Sequence, residues 1–238
     1  MRVIVKDTVD DVSKVAANII SAQMILNPKS VLGLPTGNTP IRTYDFLVRN
    51  YQSKMIDFSE VNTFNLDEYI GISEEDPNSY HYFMEKHLFS KVNINRENIH
   101  IPDGNCADEN KACEEYDQMI EKKGGIDLQV LGLGQNGHIG FNEPDDHFSS
   151  GTHIISLTES TIRANSILFD SVNDVPRKAI TMGVMNIMRA KQVLLIVTGA
   201  AKRNALQQML HGSICPEVPA SVLRFHPNVI VVADKEAA

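Results

Sequence analysis

Apolar positions near the start of the chain recur at helical spacing. Val12, Ala16 and Ile19, with Gln23 continuing the row, lay one stripe along Thr8 to Leu26, which predicts an amphipathic helix ending before Asn27-Pro28. The period then changes. Val31 to Leu34 is a short, continuously apolar run, Pro35-Thr36-Gly37-Asn38-Thr39-Pro40 is turn chemistry, and Ile41 to Asn50 returns to helix with Pro40 near its first turn. The same strand, loop, helix grammar recurs at Val61 to Leu66, Asp127 to Leu133 and Val193 to Thr198, and a fifth run, Val229 to Ala233, lies near the end. Strands that are continuously apolar rather than alternating are buried on both faces, as under helices packed on each side of a parallel sheet. The expected fold is therefore α/β: a three-layer sandwich with a mostly parallel central sheet, Rossmann-like, formed as one domain over residues 1–238. No internal repeat or low-complexity segment interrupts it.

Composition narrows the partners. The 238 residues are 42% hydrophobic and 22% charged, as in an ordinary globular chain able to bury a core. A net charge of −8 with no lysine or arginine run disfavours a nucleic-acid backbone or an anionic membrane, and an anionic small molecule needs a local positive pocket. The opening MRVIVKDTVD lacks a signal-peptide pattern and no apolar run reaches membrane-spanning length, so a cytoplasmic location is expected. Cys106, Cys113 and Cys215 form no C-x-x-C pair, and the eight histidines include no H-E-x-x-H, so the expectation is free thiols and no metal site.

Ligands of open parallel sheets collect beyond the carboxyl ends of the strands. Four loops qualify. Thr36, Gly37, Asn38 and Thr39 offer hydroxyls, a permissive backbone and a helix start, which reads equally as a phosphate cradle and as an ordinary turn. Asp67 and Glu68 end the second run; period-two geometry turns them to opposite sides, so one faces a cleft as a base while a carboxylate here also suits a helix cap or an acidic turn. The third loop, Gly132 to Pro144, packs four glycines, two asparagines, His138 and Glu143 into thirteen residues, a composition costly to stability unless the backbone must take unusual shapes. Histidine is the side chain suited to moving protons near neutral pH, and Glu143 can orient His138. A lone histidine is more often structural, and the glycine density tips this one towards catalysis. The fourth is Gly199 to Arg203, where Lys202 at a helix start either joins a phosphate site or is simply solvated.

The segments GLPTGNTP, FNLDEY, LGLGQNGHIGFNEP, THIISLTESTIRANS, AITMG and PASVLRFHPNVIVVAD resemble the glucosamine-6-phosphate deaminase family, in order and along nearly the whole chain. The resemblance implies a sugar-phosphate deaminase/isomerase domain that converts glucosamine 6-phosphate and water to fructose 6-phosphate and ammonium in amino-sugar catabolism, with no metal or organic cofactor. It implies ring opening by His138 supported by Glu143 and Asn136, proton transfer from C2 to C1 by Asp67, and phosphate binding by Thr36, Gly37, Asn38, Thr39 and Lys202. Two departures stand out. Asn136 occupies a position that is aspartate in many members, and Ile167 stands where the family usually has a phosphate-binding arginine; Arg163, four residues earlier and on the same face if this segment is helical, reads equally as its substitute and as a surface arginine. Regulated relatives continue beyond the last strand and place basic residues near the positions of His153 and Ile155. This chain stops at Ala238 without those charges, so hyperbolic kinetics and a monomer or small homo-oligomer are expected.

Two other readings share these features. A 6-phosphogluconolactonase-type enzyme has the same fold and a related phosphate site but activates water rather than a carbon acid. A non-catalytic sugar-phosphate sensor keeps the pocket, yet this chain has no room for a helix-turn-helix beside the enzyme-like region, and its acid–base groups are all present. An amide at Asn136 lends the histidine no charge, so Asn136→Asp is expected to move the acid limb of the pH–rate profile upward. A limb that stays in place would count against an electrostatic role for this position.

Overall fold

The computed structural model describes residues 1–157, 162, 171 and 175–238. Seven strands form one wholly parallel sheet: β1 (Arg2–Lys6), β2 (Val31–Leu34), β3 (Asn62–Asn65), β5 (Ile99–His100), β6 (Leu128–Gly132), β9 (Gln192–Val197) and β10 (Val229–Asp234), in the order β1-β10-β9-β6-β2-β3-β5. The five strands expected from apolar runs are the five interior ones. The two that escaped are the edges: β1 alternates in exposure and β5 has two residues, so neither carries a doubly buried pattern.

Period-two alternation splits the apolar side chains of β2, β6, β9 and β10 between two cores. Leu32, Leu34, Leu128, Val130, Leu194 and Ile196 face helices α1 (Val9–Leu26), α2 (Ile41–Gln52) and α3 (Tyr80–His87). Val31, Leu131, Val193, Leu195 and Val231 face α4 (Glu109–Lys122), α5 (Val184–Met188) and α6 (Arg203–His211). This is the expected three-layer sandwich. Helix α1 begins where Thr8 caps it, its hydroxyl accepting from Asp11 N at 3.1 Å. Its buried stripe is rotated by one residue from expectation: Ile20 and Met24, not Ile19 and Gln23, continue Val12 and Ala16. Gln23 instead donates to the Ser30 hydroxyl at the turn before β2.

A second sheet was not expected. Strands β4 (Asp67–Tyr69), β8 (Lys178–Thr181) and β7 (His153–Ser156) pair antiparallel, in the order β4-β8-β7. The chain passes from β3 into β4 through Leu66 alone, whose N–H still bonds Leu34 O of the large sheet while its carbonyl accepts from Met182 N beside the small one. One residue thus hinges two sheets.

Asp117 on α4 fastens the small sheet to the sandwich. Its carboxylate accepts from Thr152 N at 3.1 Å, from the Thr152 hydroxyl and from Asn186 Nδ2 at 2.6 Å. Removing the acceptor leaves three donors half-buried without it. Asp117→Ala is therefore expected to lower unfolding stability by about 1–3 kcal/mol, measured by urea denaturation; a change within error would show that the sheet holds by apolar packing alone.

Candidate active site

In the strand order, the chain runs outward from β2 through β3 to β5 on one side and through β6 and β9 to β10 on the other, so the switch point lies between β2 and β6. A cleft of about 270 Å³ opens there at the carboxyl ends of the strands. Thr36 to Thr39, Asp67, His138 and Lys202 all reach its wall, so all four loops singled out in the sequence converge. Asn136 and Glu143 do not line it; they stand behind His138. A larger hollow of about 460 Å³ at the other end of the sheet, around Met24, Tyr51 and Met55, holds none of these acid–base groups.

Asp67 and Glu68 divide as alternation requires. Glu68 turns away from the cleft and caps α3: its carboxylate accepts from Tyr69 N at 2.8 Å, Tyr80 N at 3.0 Å and His81 N at 3.0 Å, and meets the His81 ring at 3.0 Å. The helix-cap alternative for this acidic pair thus describes Glu68. Asp67 turns into the cleft, where it is 6% exposed and, among the described residues, receives no hydrogen-bond donor. Burial, helped by the nearby charge of Glu68, pushes its carboxyl up to about 8.

The glycine-rich loop is built to bring His138 back against its own start. Gly134 N donates to His138 O at 2.9 Å, and a Cβ on Gly134 would stand 2.4 Å from the imidazole ring. Only glycine leaves that space. His138 Nδ1 lies 3.3 Å from Glu143 Oε1, in ion-pair contact but off the line of a good hydrogen bond. Asn136 Nδ2 donates to the other Glu143 oxygen at 2.6 Å, and Asn136 Oδ1 accepts from His138 N at 3.3 Å. The Asn136 side chain therefore holds Glu143, not the ring. An aspartate there would face Glu143 across hydrogen-bond distance, and such a carboxylate pair takes up a proton in a shared step.

Two contacts fix the distance between loop and base. Thr181 is the cross-strand partner of Asp67, and its hydroxyl accepts from Phe141 N at 3.2 Å. Asn142 Nδ2 donates to Ile139 O and Met182 O, both at 2.9 Å.

The opposite end of the cleft is cationic. Lys202 closes a 3-10 turn (Ala200–Lys202) before α6, and burial lowers the proton affinity of its ammonium. No carboxylate pairs with it among the described residues. Asp234 at the end of β10 orders this loop by accepting from Gly199 N at 2.9 Å. On the other side, the buried Tyr44 hydroxyl of α2 donates to Pro35 O at 2.5 Å and anchors the start of the Thr36–Thr39 loop.

Sequence reasoning missed Tyr80, which lines the cleft beside Asp67 and stacks on Phe141 with ring centroids 6.2 Å apart. Its signal was the Ser79 cap, which accepts from Tyr82 N and starts α3 with Tyr80 inside the first turn. Arg163 and Ile167 lie outside the described residues. Among the described residues, Asp145, Asp146 and His147 have metal-ligating spacing, but all three are exposed neighbours in one turn, away from the cleft lining.

A family model described as glucosamine-6-phosphate isomerases/6-phosphogluconolactonase matches residues 4–231. The chain belongs to this family. A glucosamine-6-phosphate deaminase of Lachnoclostridium phytofermentans is 53% identical over 232 residues, covering 98% of this chain and 98% of the relative. One of Thermoanaerobacter pseudethanolicus is 50% identical over 238 residues, covering 100% of this chain and 94% of the relative. A solved monomeric glucosamine-6-phosphate deaminase superposes with a TM-score of 0.97 at 42% identity, covering 100% of this chain and 98% of that one. A 6-phosphogluconolactonase from Thermotoga maritima, 20% identical with a TM-score of 0.76 and covering 98% and 99%, shares the fold.

The buried carboxyl of this family member has a consequence for stability. Unfolded, Asp67 ionises near 3.8; folded, it keeps its proton to about 8. Between those values the native state binds more protons, so stability falls as pH rises, by about 1.4 kcal/mol per pH unit for a full proton difference. Asp67→Asn removes the penalty. Its Tm advantage over the wild type is expected to grow from pH 5 to pH 8; an advantage independent of pH would show that Asp67 ionises normally.

Proposed function

We propose that the chain is a glucosamine-6-phosphate deaminase, acting on glucosamine 6-phosphate and water to release fructose 6-phosphate and ammonium. The observation that carries this reading is the polarity of the cleft: an unpaired, desolvated carboxyl at one end and an unpaired ammonium beside a hydroxyl-bearing loop at the other. Thr36, Gly37, Asn38, Thr39 and Lys202 bind the phosphate. Holding that remote group sets the sugar carbons over Asp67, so binding energy is converted into orientation.

Ring opening needs a proton taken from the anomeric hydroxyl and one given to the ring oxygen. His138 shuttles it, with Glu143 balancing the imidazolium and Asn136 holding Glu143 in place. Asp67 then takes the C2 proton and returns it at C1, while O1 gains a proton and the amino nitrogen loses one, which turns the open-chain 2-amino aldehyde into a C2 imine bearing a C1 hydroxyl. Water adds to that carbon and ammonia leaves with a proton as ammonium. The desolvated Asp67 is a stronger base than a solvated carboxylate, and the cost is that it must first lose a proton held to about 8.

We read the chain as a single domain that works as a monomer or small homo-oligomer without effector activation; of these, a monomeric state has the support of the solved monomeric relative. No helix among the described residues is long and apolar enough to cross a membrane, and we read the enzyme as cytoplasmic.

Ammonium release from glucosamine 6-phosphate tests the reading. Asp67→Asn and His138→Gln are each expected to lose about 10²- to 10⁴-fold in kcat/KM. For the wild type, kcat/KM is expected to rise with pH through about 8 as Asp67 ionises in the free enzyme. Full activity in Asp67→Asn would overturn the mechanism.

A further inference from the structure

A phosphate monoester carries close to two negative charges at neutral pH, and a chain of net charge −8 offers it no general attraction. Lys202 is the one fixed cation among the described residues lining the cleft. The space does not end there. Asn38, Thr39 and Lys202 also wall a neighbouring groove of about 550 Å³, which Arg42, Gln135 and Thr198 line as well. No carboxylate lines this groove.

Arg42 is the second residue of α2, and Pro40 gives that helix no side-chain cap, so the first-turn N–H groups lie beside the same loop. A cation at the amino end of a helix is on the unfavourable side of its dipole. Arg42 is held there by Asp10 in the first turn of α1. Both partners are more than half exposed, at 59% and 60%. An exposed pair of this kind adds little stability, whereas a guanidinium can meet phosphate through two parallel N–H···O bonds.

We propose that Arg42 is the second cation of the phosphate site: on binding, its guanidinium exchanges Asp10 for the phosphate oxygens already held by Lys202 and the Asn38-Thr39 loop. The ligand class is a phosphate monoester, with inorganic phosphate as its minimal form. The proposal rests on the deaminase reading for the identity of the sugar and not for the binding of the phosphate group.

Calorimetric titration with inorganic phosphate tests the exchange on wild type, Arg42→Ala, Arg42→Lys and Asp10→Ala. Arg42→Ala is expected to weaken binding about tenfold. Arg42→Lys recovers part of it by restoring charge without the two-pronged geometry. Asp10→Ala binds phosphate more tightly than wild type, because the guanidinium no longer has a competing partner. In ammonium-release assays the Arg42→Ala loss is expected in KM more than in kcat. An unchanged phosphate affinity in Arg42→Ala overturns the proposal, and a loss found in Arg163→Ala instead would place the second cation there. Arg42-dependent phosphate binding without ammonium release would refute the deaminase reading and leave this assignment standing; ammonium release with an unchanged KM in Arg42→Ala would do the reverse.

Discussion

The site depends on the single residue at which the chain leaves the parallel sheet. Leu66 keeps one hydrogen bond to each sheet, so the next residue emerges at the seam between them with a fixed direction. Asp67 is consequently held by backbone on both sides, and no side-chain hydrogen bond is needed to aim it. A carboxyl placed in this way can be stripped of water and donors without becoming mobile. That combination raises its proton affinity, as the base of the proposed reaction requires.

The rest of the cleft is organised around that seam. Thr181 pairs with Asp67 through the small sheet and grips the backbone of Phe141, while Asn142 grips Met182. The histidine loop is thereby registered against the base by hydrogen bonds to β8 and its end rather than by its own sequence. Glu68, one residue on, uses the opposite face of the same strand to start α3, which brings Tyr80 over the cleft. Two adjacent carboxylates therefore do unlike work because a strand turns successive side chains apart.

The electrostatic design is a separation. The buried Asp67 carboxyl lies at the seam, and the Lys202 ammonium lies across the cleft in the loop after β9, with Asp234 bonded to the backbone of that loop rather than to its charge. Lys202 pairs with no carboxylate among the described residues, so its charge stays available to an anion even in an acidic protein.

The sequence by itself determined the sandwich and the loops that line the candidate site. Four of the five interior strands were legible because burial on both faces writes a continuous apolar run, β3 (Asn-Thr-Phe-Asn) being legible only from its place in the strand, loop, helix order, and the four loops were legible because glycine, hydroxyl and acid–base residues clustered directly after those strands. The edge strands β1 and β5 left no such mark. Nor did the small antiparallel sheet, whose strands are three or four residues long and whose pairing joins residues far apart in the chain, as in Asp67 with Thr181. Only the tertiary structure decided which of Asp67 and Glu68 faces the cleft and that Asn136 holds Glu143 rather than the ring. It alone put Arg42 in a groove shared with Lys202. Each of these is a matter of where two distant backbones set a side chain, and local residue pattern carries no record of that distance.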